Sequence, residues 1–575
     1  MSEADHHEEL SWWRRYVFST DHKVIGMQYG FTALLFLFFG FCLMMLMRWQ
    51  LAYPGKPLPV IGNLFSDATA PGGVLLPEFY NQLGAMHGTI MVFLGVVPLS
   101  VGAFGNYIMP LQIGAPDMAF PKLNMASYWA YFCGGVIMLL SFFVPAGGAA
   151  QSGWTSYPPL ADIAAEGQTW WLVGMLFLIF SSLLGSVNFI VTIFHLRAPG
   201  LSMFRLPIFV WAQLVTSFLL LLAFPPLQAA ATLQFMDRVF GSSFFLPSGL
   251  VVGGVPAAVS GGGNPLLWQH LFWFLAHPEV YVLILPALGI VAEIIANNTR
   301  KPLWGYRSMV YSMMFLGFMS FIVWAHHMFM TGMGTFMSVF FQTTTMIISI
   351  PSVILLTALL ISLWGGSIRF RVPMLFALAF LPMFGIGGLT GLPLGLASSD
   401  IPLHDTYYVI GHFHYVVAPG SIFALFAGIY YWFPKVTGKQ MNEFLGKIHF
   451  WGSFVCINGV FMPMFFQGMA GTSRRLYDQT FYAHGAGVQG LTIFSSWSAW
   501  GLGLFQIFFI VNFFMTLFAG KKVESDNPWH ATTLEWATPT PPPHGNFLTV
   551  PHCHRGPYEY SVPGMSADFC PQNQA

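Results

Sequence analysis

His412 and His414 stand in the stretch His404-Asp405-Thr406-Tyr407-Tyr408-Val409-Ile410-Gly411-His412-Phe413-His414-Tyr415, at the head of an apolar run that continues to about Phe433. On a helix of ~3.6 residues per turn, residues two apart point about 200° from each other. The two imidazoles therefore face opposite sides of one helix, where each can serve a separate metal centre. Six histidines fall in apolar runs or at their edges: His87, His277, His326, His327, His412 and His414. An ionisable side chain inside a membrane span is costly and is a functional residue by default. A single such histidine is readily a hydrogen-bonded packing residue. Six of them on five spans, with one adjacent and one alternating pair, are hard to explain that way. His270 and His449, near span ends, read as interfacial.

His277 opens the run His277-Pro278-Glu279-Val280-Tyr281. Tyr281 lies one turn along on the same helix face, and a phenol beside a metal-bound imidazole can supply an electron and a proton. Glu279 has no basic residue within its span and could relay protons; the plainer reading is a carboxylate at a helix start after a proline. His326 and His327, about 100° apart on a helix, can converge with His277 on one metal. Three nitrogen ligands and an open position suit copper or another redox metal that binds a gas.

The elements that must position these residues are membrane helices. Of 575 residues, 55% are hydrophobic and only 8% charged, against about 25% charged in a soluble protein. Twelve apolar runs are long enough to cross a bilayer: 24–48, 82–110, 126–147, 169–196, 206–233, 265–297, 307–331, 337–365, 373–395, 405–434, 446–470 and 490–520. The expected fold is an all-α integral membrane bundle of twelve helices over 24–520, between an N-terminal segment, 1–23, and a proline-rich tail, 521–575. Alternate connections collect the basic residues, such as Arg300, Lys301 and Arg307 or Lys435, Lys439 and Lys447. By the positive-inside rule both termini are cytoplasmic. Arg48, Lys56, Arg238, Arg474 and Arg475 then lie on the outer side, where topology does not need them. The segment MSEADHHEELSWWRRYVFSTDHK lacks the form of a cleaved signal peptide. The tail, with WATPTPPPHGNF, is expected to lie extended on the bundle or on a partner. Cys42, Cys133 and Cys456 read as small buried hydrophobes. Cys553, between His552 and His554, has no second ligand cluster nearby, and nothing points to nucleic acid.

The motifs HPEVY, AHHMF, HDTYYVIGHFHYV, GAPDMAFPKLN, SRRLYD and HGTIM, spread over nearly the whole chain, resemble the haem–copper oxidase superfamily, and closely the catalytic subunit I of its cytochrome c oxidase type. The resemblance implies two haems and one copper. His87 and His414 would be axial ligands of a low-spin haem, and His412 the protein ligand of the high-spin haem. His277, His326 and His327 would hold copper, with Tyr281 covalently joined to His277. Arg48 resembles the residue that bonds the formyl group of haem A, and Arg474 and Arg475 resemble the pair on the haem propionates. His404 and Asp405 resemble ligands of a magnesium ion completed by another subunit. Asp117, Asn106, Asn124, Asn188 and Tyr29 match a cytoplasmic proton pathway leading to Glu279, with Lys122 near Asp117. Implied partners are a dinuclear-copper subunit II, subunit III and other oxidase subunits, cytochrome c or a c-type cytochrome domain, O₂ and membrane lipid. The implied location is the bacterial cytoplasmic (inner) membrane.

The chain departs from this pattern where Leu355 stands in place of the lysine of a second proton pathway, and where Ala292, beside Glu293, replaces a serine. Leucine cannot relay a proton. Either Glu293, Thr343 to Thr345 and Ser349 support a rerouted path, or active-site protons arrive another way. The expected activity is reduction of O₂ to water with proton uptake and pumping. The alternative is nitric oxide reduction on the same scaffold: Leu355 favours it and Tyr281 opposes it. A histidine-relay transporter is disfavoured by the specificity of the histidine set, and an assembly subunit with vestigial sites by the absence of any lost ligand.

Overall fold

A computed structural model describes residues 11–145 and 147–575; the first ten residues of the N-terminal segment lie outside the described residues. Twelve helices are long and apolar enough to cross a membrane: α1 His22–Ala52, α2 Pro77–Ile113, α3 Pro121–Phe143, α4 Gly167–His195, α5 Ile208–Phe240, α6 Pro265–Thr299, α7 Tyr306–Thr331, α8 Gly334–Leu363, α9 Val372–Leu394, α10 Tyr407–Thr437, α11 Glu443–Met469 and α12 Gln489–Ala519. Each expected apolar run lies on one of them. A two-stranded hairpin, Val251–Val252 against Val255–Pro256, is a small addition to an otherwise helical chain.

Local chemistry sets where these helices start. The side chains of Asp21, Asn264, Thr406 and Asn442 accept backbone N–H bonds at the heads of α1, α6, α10 and α11, satisfying donors that a helix start leaves free. Prolines open α2, α3 and α6, where a missing N–H costs nothing. Inside the helices, the π-helical stretches Pro98–Gly105 in α2 and Val417–Ile422 in α10 coincide with a proline, whereas Ile90–Val96 in α2 is π-helical without one. Such bulges re-aim side chains within a continuous helix.

The seventh span departs from the sequence expectation. Its α-helix ends at Ser320, and Trp324–Thr331 continues as a 3-10 helix. His326 and His327 therefore sit on tighter turns of about 3 residues, not on an α-helix. Two further expectations are corrected. His449 is fully buried, bonded to Gln506 and Tyr430 at 3.1 and 3.3 Å; its place near a span end suggested an interface, but α9, α10 and α12 enclose it. Cys133 is exposed, on a face of α3 that an all-apolar sequence cannot tell from the core.

The tail lies on the bundle, as its composition allowed. Trp529 stacks on Tyr431 of α10 and donates to its carbonyl at 2.8 Å. The carboxylate of Asp568 takes a two-pronged bond, 2.8 and 2.7 Å, from the guanidinium of Arg300, just beyond α6. At the other end of the bundle, Arg238 donates to the carbonyls of Ala161, Asp162, Ala164 and Ala165. That clamp is a structural reason for an arginine that topology did not require.

Arg300 is buried whereas Asp568 is half-exposed. A charged pair of bonds is worth about 1.5–3 kcal/mol, less here because solvent screens one partner. Arg300→Met is expected to loosen the tail by ~1.4 kcal/mol, about tenfold in an opening equilibrium. Limited proteolysis read by mass spectrometry checks this: cuts within 521–575 should appear about ten times faster, with the bundle intact.

Candidate functional site

All six span histidines line one internal cavity of ≈ 1280 Å³, larger than the ~300–1,000 Å³ typical of small-ligand sites. His412 and His414 leave α10 in opposite directions, as their spacing required. His412 bonds through Nδ1 to the carbonyl of Gly387 on α9 at 2.8 Å. His414 bonds through Nδ1 to Ile410 at 2.9 Å and stacks on Phe461 of α11. His87 on α2 bonds through Nδ1 to the carbonyl of Gly40 on α1 at 2.8 Å. A carbonyl can only accept, so each Nδ1 carries the proton and each Nε2 keeps its lone pair. Gly391 clears the space beside His412: a Cβ there would stand 2.7 Å from the ring.

A three-imidazole cluster forms beside His412. Nδ1 of His277 lies 3.3 Å from Nε2 of His327, which lies 3.1 Å from Nε2 of His326. Among the described residues it is the group of three ligating side chains compact enough to hold an ion. A first-row ion with nitrogens at roughly 2.0–2.1 Å and tetrahedral angles would place them ~3.3 Å apart, so the set fits such an ion. Thr345 of α8 bonds Nδ1 of His326 at 2.9 Å, and Trp273 stacks on His327 at 3.8 Å. Tyr281 packs against His277 at 5.1 Å between ring centres, and Nε2 of His277 has no partner. Both oxygens of Glu279 are likewise buried and unpartnered, as is Nε of Arg48. Such orphans at a cavity wall fit a polar guest or enclosed water.

At one end of the cavity Arg474 bonds Asp405 through Nε at 2.6 Å, and Arg475 sits beside it with Thr155 at 3.4 Å. Burial, then the neighbouring charge of Arg474, pushes the Arg475 guanidinium down to about 10, so the pair forms a cationic corner suited to carboxylates. His404 bonds Asp400 at 3.1 Å and has its other nitrogen 3.9 Å from Asp405. Burial pulls its pKa down, but Asp400 and Asp405 together outweigh that and raise it.

The expected proton-path residues lie between α1, α2, α3 and α4. Tyr29 bonds Ser127 at 2.8 Å and reaches Ser181 at 3.4 Å. Asn106 and Asn124 each keep an unpartnered amide atom, whereas Asn188 is bonded on both sides to the backbone of Phe120. Burial pushes the Asp117 carboxyl up against the pull of nearby His22. His22 and Lys23 are both bonded to Asn546 of the tail, at 3.0 and 2.9 Å.

Other expected residues are not brought to the cavity. Thr343 is exposed on α8, and Thr344 bonds back to its own helix. Only Thr345, Ser349 and Ser352 of that helix's hydroxyls line the cavity, alongside Leu355. Glu293 instead faces the tail. His270 bonds Trp324. Cys553 bonds its Sγ–H to the carbonyl of Arg555 and joins no three-ligand cluster among the described residues.

Sequence reasoning missed Trp273, Ser127, Ser181 and Asp400, and named Thr345 only for a rerouted proton path, not as the partner of His326. Some signals were present: Trp273 is four residues before His277, Ser127 three after Asn124 and Asp400 four before His404, each on one helix face with a named residue.

Over residues 24–504 the chain matches the family described as Cytochrome C and Quinol oxidase polypeptide I. It is similar to the alternative cytochrome c oxidase subunit 1 of Bradyrhizobium diazoefficiens, 44% identical over 574 residues that cover 98% of this chain and 94% of the relative. Cytochrome c oxidase subunit 1 of Synechocystis is 43% identical over 559 residues, covering 97% and 94%. A solved structure, a cryo-EM study of a heme-copper terminal oxidase dimer, shares the fold at a TM-score of 0.69 and 20% identity, covering 88% of this chain and 85% of that one.

Thr345→Val removes the acceptor that orients His326. Loss of such a supporting bond lowers metal affinity by about 10–100-fold. Metal analysis of the purified complex after graded chelation is expected to show loss of the three-histidine ion at correspondingly lower chelator concentration, with the haem content unchanged.

Proposed function

Since the chain belongs to the cytochrome c and quinol oxidase polypeptide I family of haem–copper terminal oxidases, we propose that it is the catalytic subunit that reduces O₂ to water in a respiratory membrane. The observation that carries this reading is the back-to-back pair His412 and His414, with the three-imidazole cluster on the His412 side. His87 and His414 would hold a low-spin haem, His412 a high-spin haem, and His277, His326 and His327 copper. When bound, the haem–copper pair supplies the redox chemistry that splits O₂.

The chain's own residues do the rest. Fixed carbonyls at Gly40, Gly387 and Ile410 present each haem-facing Nε2 as a ready ligand. Arg474 and Arg475 receive propionates, and Arg48, with its free Nε, receives the polar ring substituent expected of haem A. Tyr281 beside His277 donates a proton and an electron, and is read as cross-linked to it. Asp117 takes up protons, the Asn106, Asn124 and Tyr29 group conducts them, and Glu279 holds a proton at the cavity wall for chemistry and pumping. Asn188, read into the same path, also holds the Phe120 backbone. His404 and Asp405 would bind magnesium. Electrons arrive from cytochrome c through a copper-bearing subunit II, with subunit III completing the complex. The setting is a bacterial inner membrane with both termini cytoplasmic.

Nitric oxide reduction is the second reading, and Leu355 is what favours it: it is buried at the cavity wall and bears no proton. The relatives, named as cytochrome c oxidases, weigh against it.

The test is turnover of the purified complex with O₂ and, anaerobically, with NO, from one reduced artificial donor. Fast oxygen uptake with trace NO consumption is the expected result; the reverse would overturn the reading. Glu279→Gln is expected to lower turnover by at least a hundredfold while the haem spectrum stays intact. Leu355→Lys is expected to leave turnover within about twofold, because a buried lysine there has no partner chain to join.

A further inference from the structure

Two buried carboxyl groups lie near each other where α6 runs under the tail: Glu293, raised above as part of a rerouted path, and Glu535, which has been given no role. Glu293, near the end of α6, accepts from the Tyr558 hydroxyl at 2.7 Å and from the backbone N–H of Phe209 at 3.3 Å. Glu535, in the tail, is 0% exposed and accepts through Oε1 from Gln112 at 3.1 Å and Trp432 at 3.3 Å. Phe209 and Trp432, which contact the two carboxyls, pack ring to ring at 5.4 Å. Neither carboxyl joins an ion pair among the described residues. Two ionised carboxylates in a dry site without a cation are prohibitive, so neighbouring carboxyls share protons instead.

A second, independent observation is a trail of acceptors without donors. Oε2 of Glu535 and Oε1 of Gln112 are buried and unpartnered. On α5, starting at Phe209, one face carries Gln213 and Thr216, each 0% exposed, and Oε1 of the first and Oγ1 of the second are also unpartnered. Gln213 is anchored through its amide to Ser100 at 2.9 Å, which holds its free oxygen in place. From Phe209 to Thr216 the trail climbs ~10 Å at 1.5 Å per residue. On α6, Glu293 and the cavity-wall residue Glu279 are 14 positions apart. That spacing puts them within about 40° of one face and ~21 Å apart. Buried acceptors in a row, each short of a donor, are the lining of a chain of enclosed waters.

We propose that Glu293 and Glu535 form a proton-binding site at the seam between α6 and the tail, loaded from the tail side and discharging inward along Gln213 and Thr216. The step is a proton transfer alone. A proton leaves the pair for a water on the α5 face, a second arrives from solvent on the tail side, and the charge of the pair is restored. The route is separate from the Asp117 path, which runs between α1, α2, α3 and α4, and it offers a proton supply that does not depend on position 355. Burial pushes the Glu535 carboxyl up, in keeping with a group that retains a proton. The ionisable groups facing the pair are Tyr306 of α7, Tyr431 and Lys435 of α10, and Tyr558 and Tyr560 of the tail. Lys435 is close enough for its charge to act on Glu535 but pairs with neither acid, donating instead to the Thr538 and Asp526 carbonyls.

This rests on the oxygen-reducing reading above, and the experiment separates the two. In the intact complex, infrared difference spectra and flash-triggered proton uptake are recorded for the unaltered chain, Glu293→Gln, Glu535→Gln and Tyr558→Phe. Expected are a protonated-carboxyl band that disappears in Glu293→Gln or Glu535→Gln, and a tenfold or greater slowing of one phase of proton uptake, with haem spectra unchanged. Tyr558→Phe keeps both acids, so it is expected to shift the band and move the pH profile of uptake without abolishing either. It also keeps the proposal testable should a glutamine variant fail to assemble. Unchanged bands and unchanged uptake in every variant that assembles would overturn the proposal and leave the pair as a tail anchor. An unaltered complex that consumes no oxygen would overturn the functional reading instead, while the carboxyl band stays measurable.

Discussion

The site depends on one repeated interaction: an imidazole Nδ1–H given to an acceptor that cannot move. His87, His412 and His414 each donate to a backbone carbonyl, and His326 leans on the Thr345 hydroxyl. In a water-poor interior an unsatisfied N–H is expensive, so the bond settles both the tautomer and the direction of the ring. The remaining nitrogen then points into the cavity with its lone pair free. Gly40, Gly387 and Ile410 thereby matter as much as the histidines: their carbonyls act, and at Gly40 and Gly387 a Cβ would stand 2.9 and 2.8 Å from Met91 and Val416. The need to bring those carbonyls close explains the tight helix contacts around the cavity, including the glycine at 391 against His412.

Much of this was legible in the sequence. All twelve spans and the opposed pair on α10 follow from apolar run length and from angles on a helix; the convergence of His277 with His326 and His327 was also expected, though on α-helical angles that the 3-10 segment does not keep. What was not legible depends on groups that meet only through the fold. The break after Ser320 changes the helix type under His326 and His327, and no proline or polar run announces it. His449 and Cys133 were misplaced because in a span apolar on all sides, pattern does not tell the lipid face from the core. Thr345 looked like one of three equivalent threonines, and only the turn of α8 singles it out.

The tail was read as polar cover and is more than that. Its tryptophans pack on α10, and Glu535 and Tyr558 reach side chains of the bundle. A segment without periodicity offers no pattern to assign partners from, and Glu535, Tyr558 and Asn546 each meet residues hundreds of positions away. Under the proposal above, the seam offers acids of its own that do not depend on position 355.

Asn546 has a left-handed backbone, φ 69°, and is buried among His22, Lys23 and the carbonyl of Ala115. The Ala115 carbonyl, two residues before Asp117, and the head of α1 are thus joined by a residue more than 500 positions after His22. A nascent chain can thread all twelve helices into the bilayer before Asn546, which lies beyond the end of α12 at Ala519, is in place. Threading the last helix therefore does not complete the fold: a chain ending before Asn546 would hold all twelve spans in the membrane and leave His22, Lys23 and the Ala115 carbonyl without the residue that ties them together.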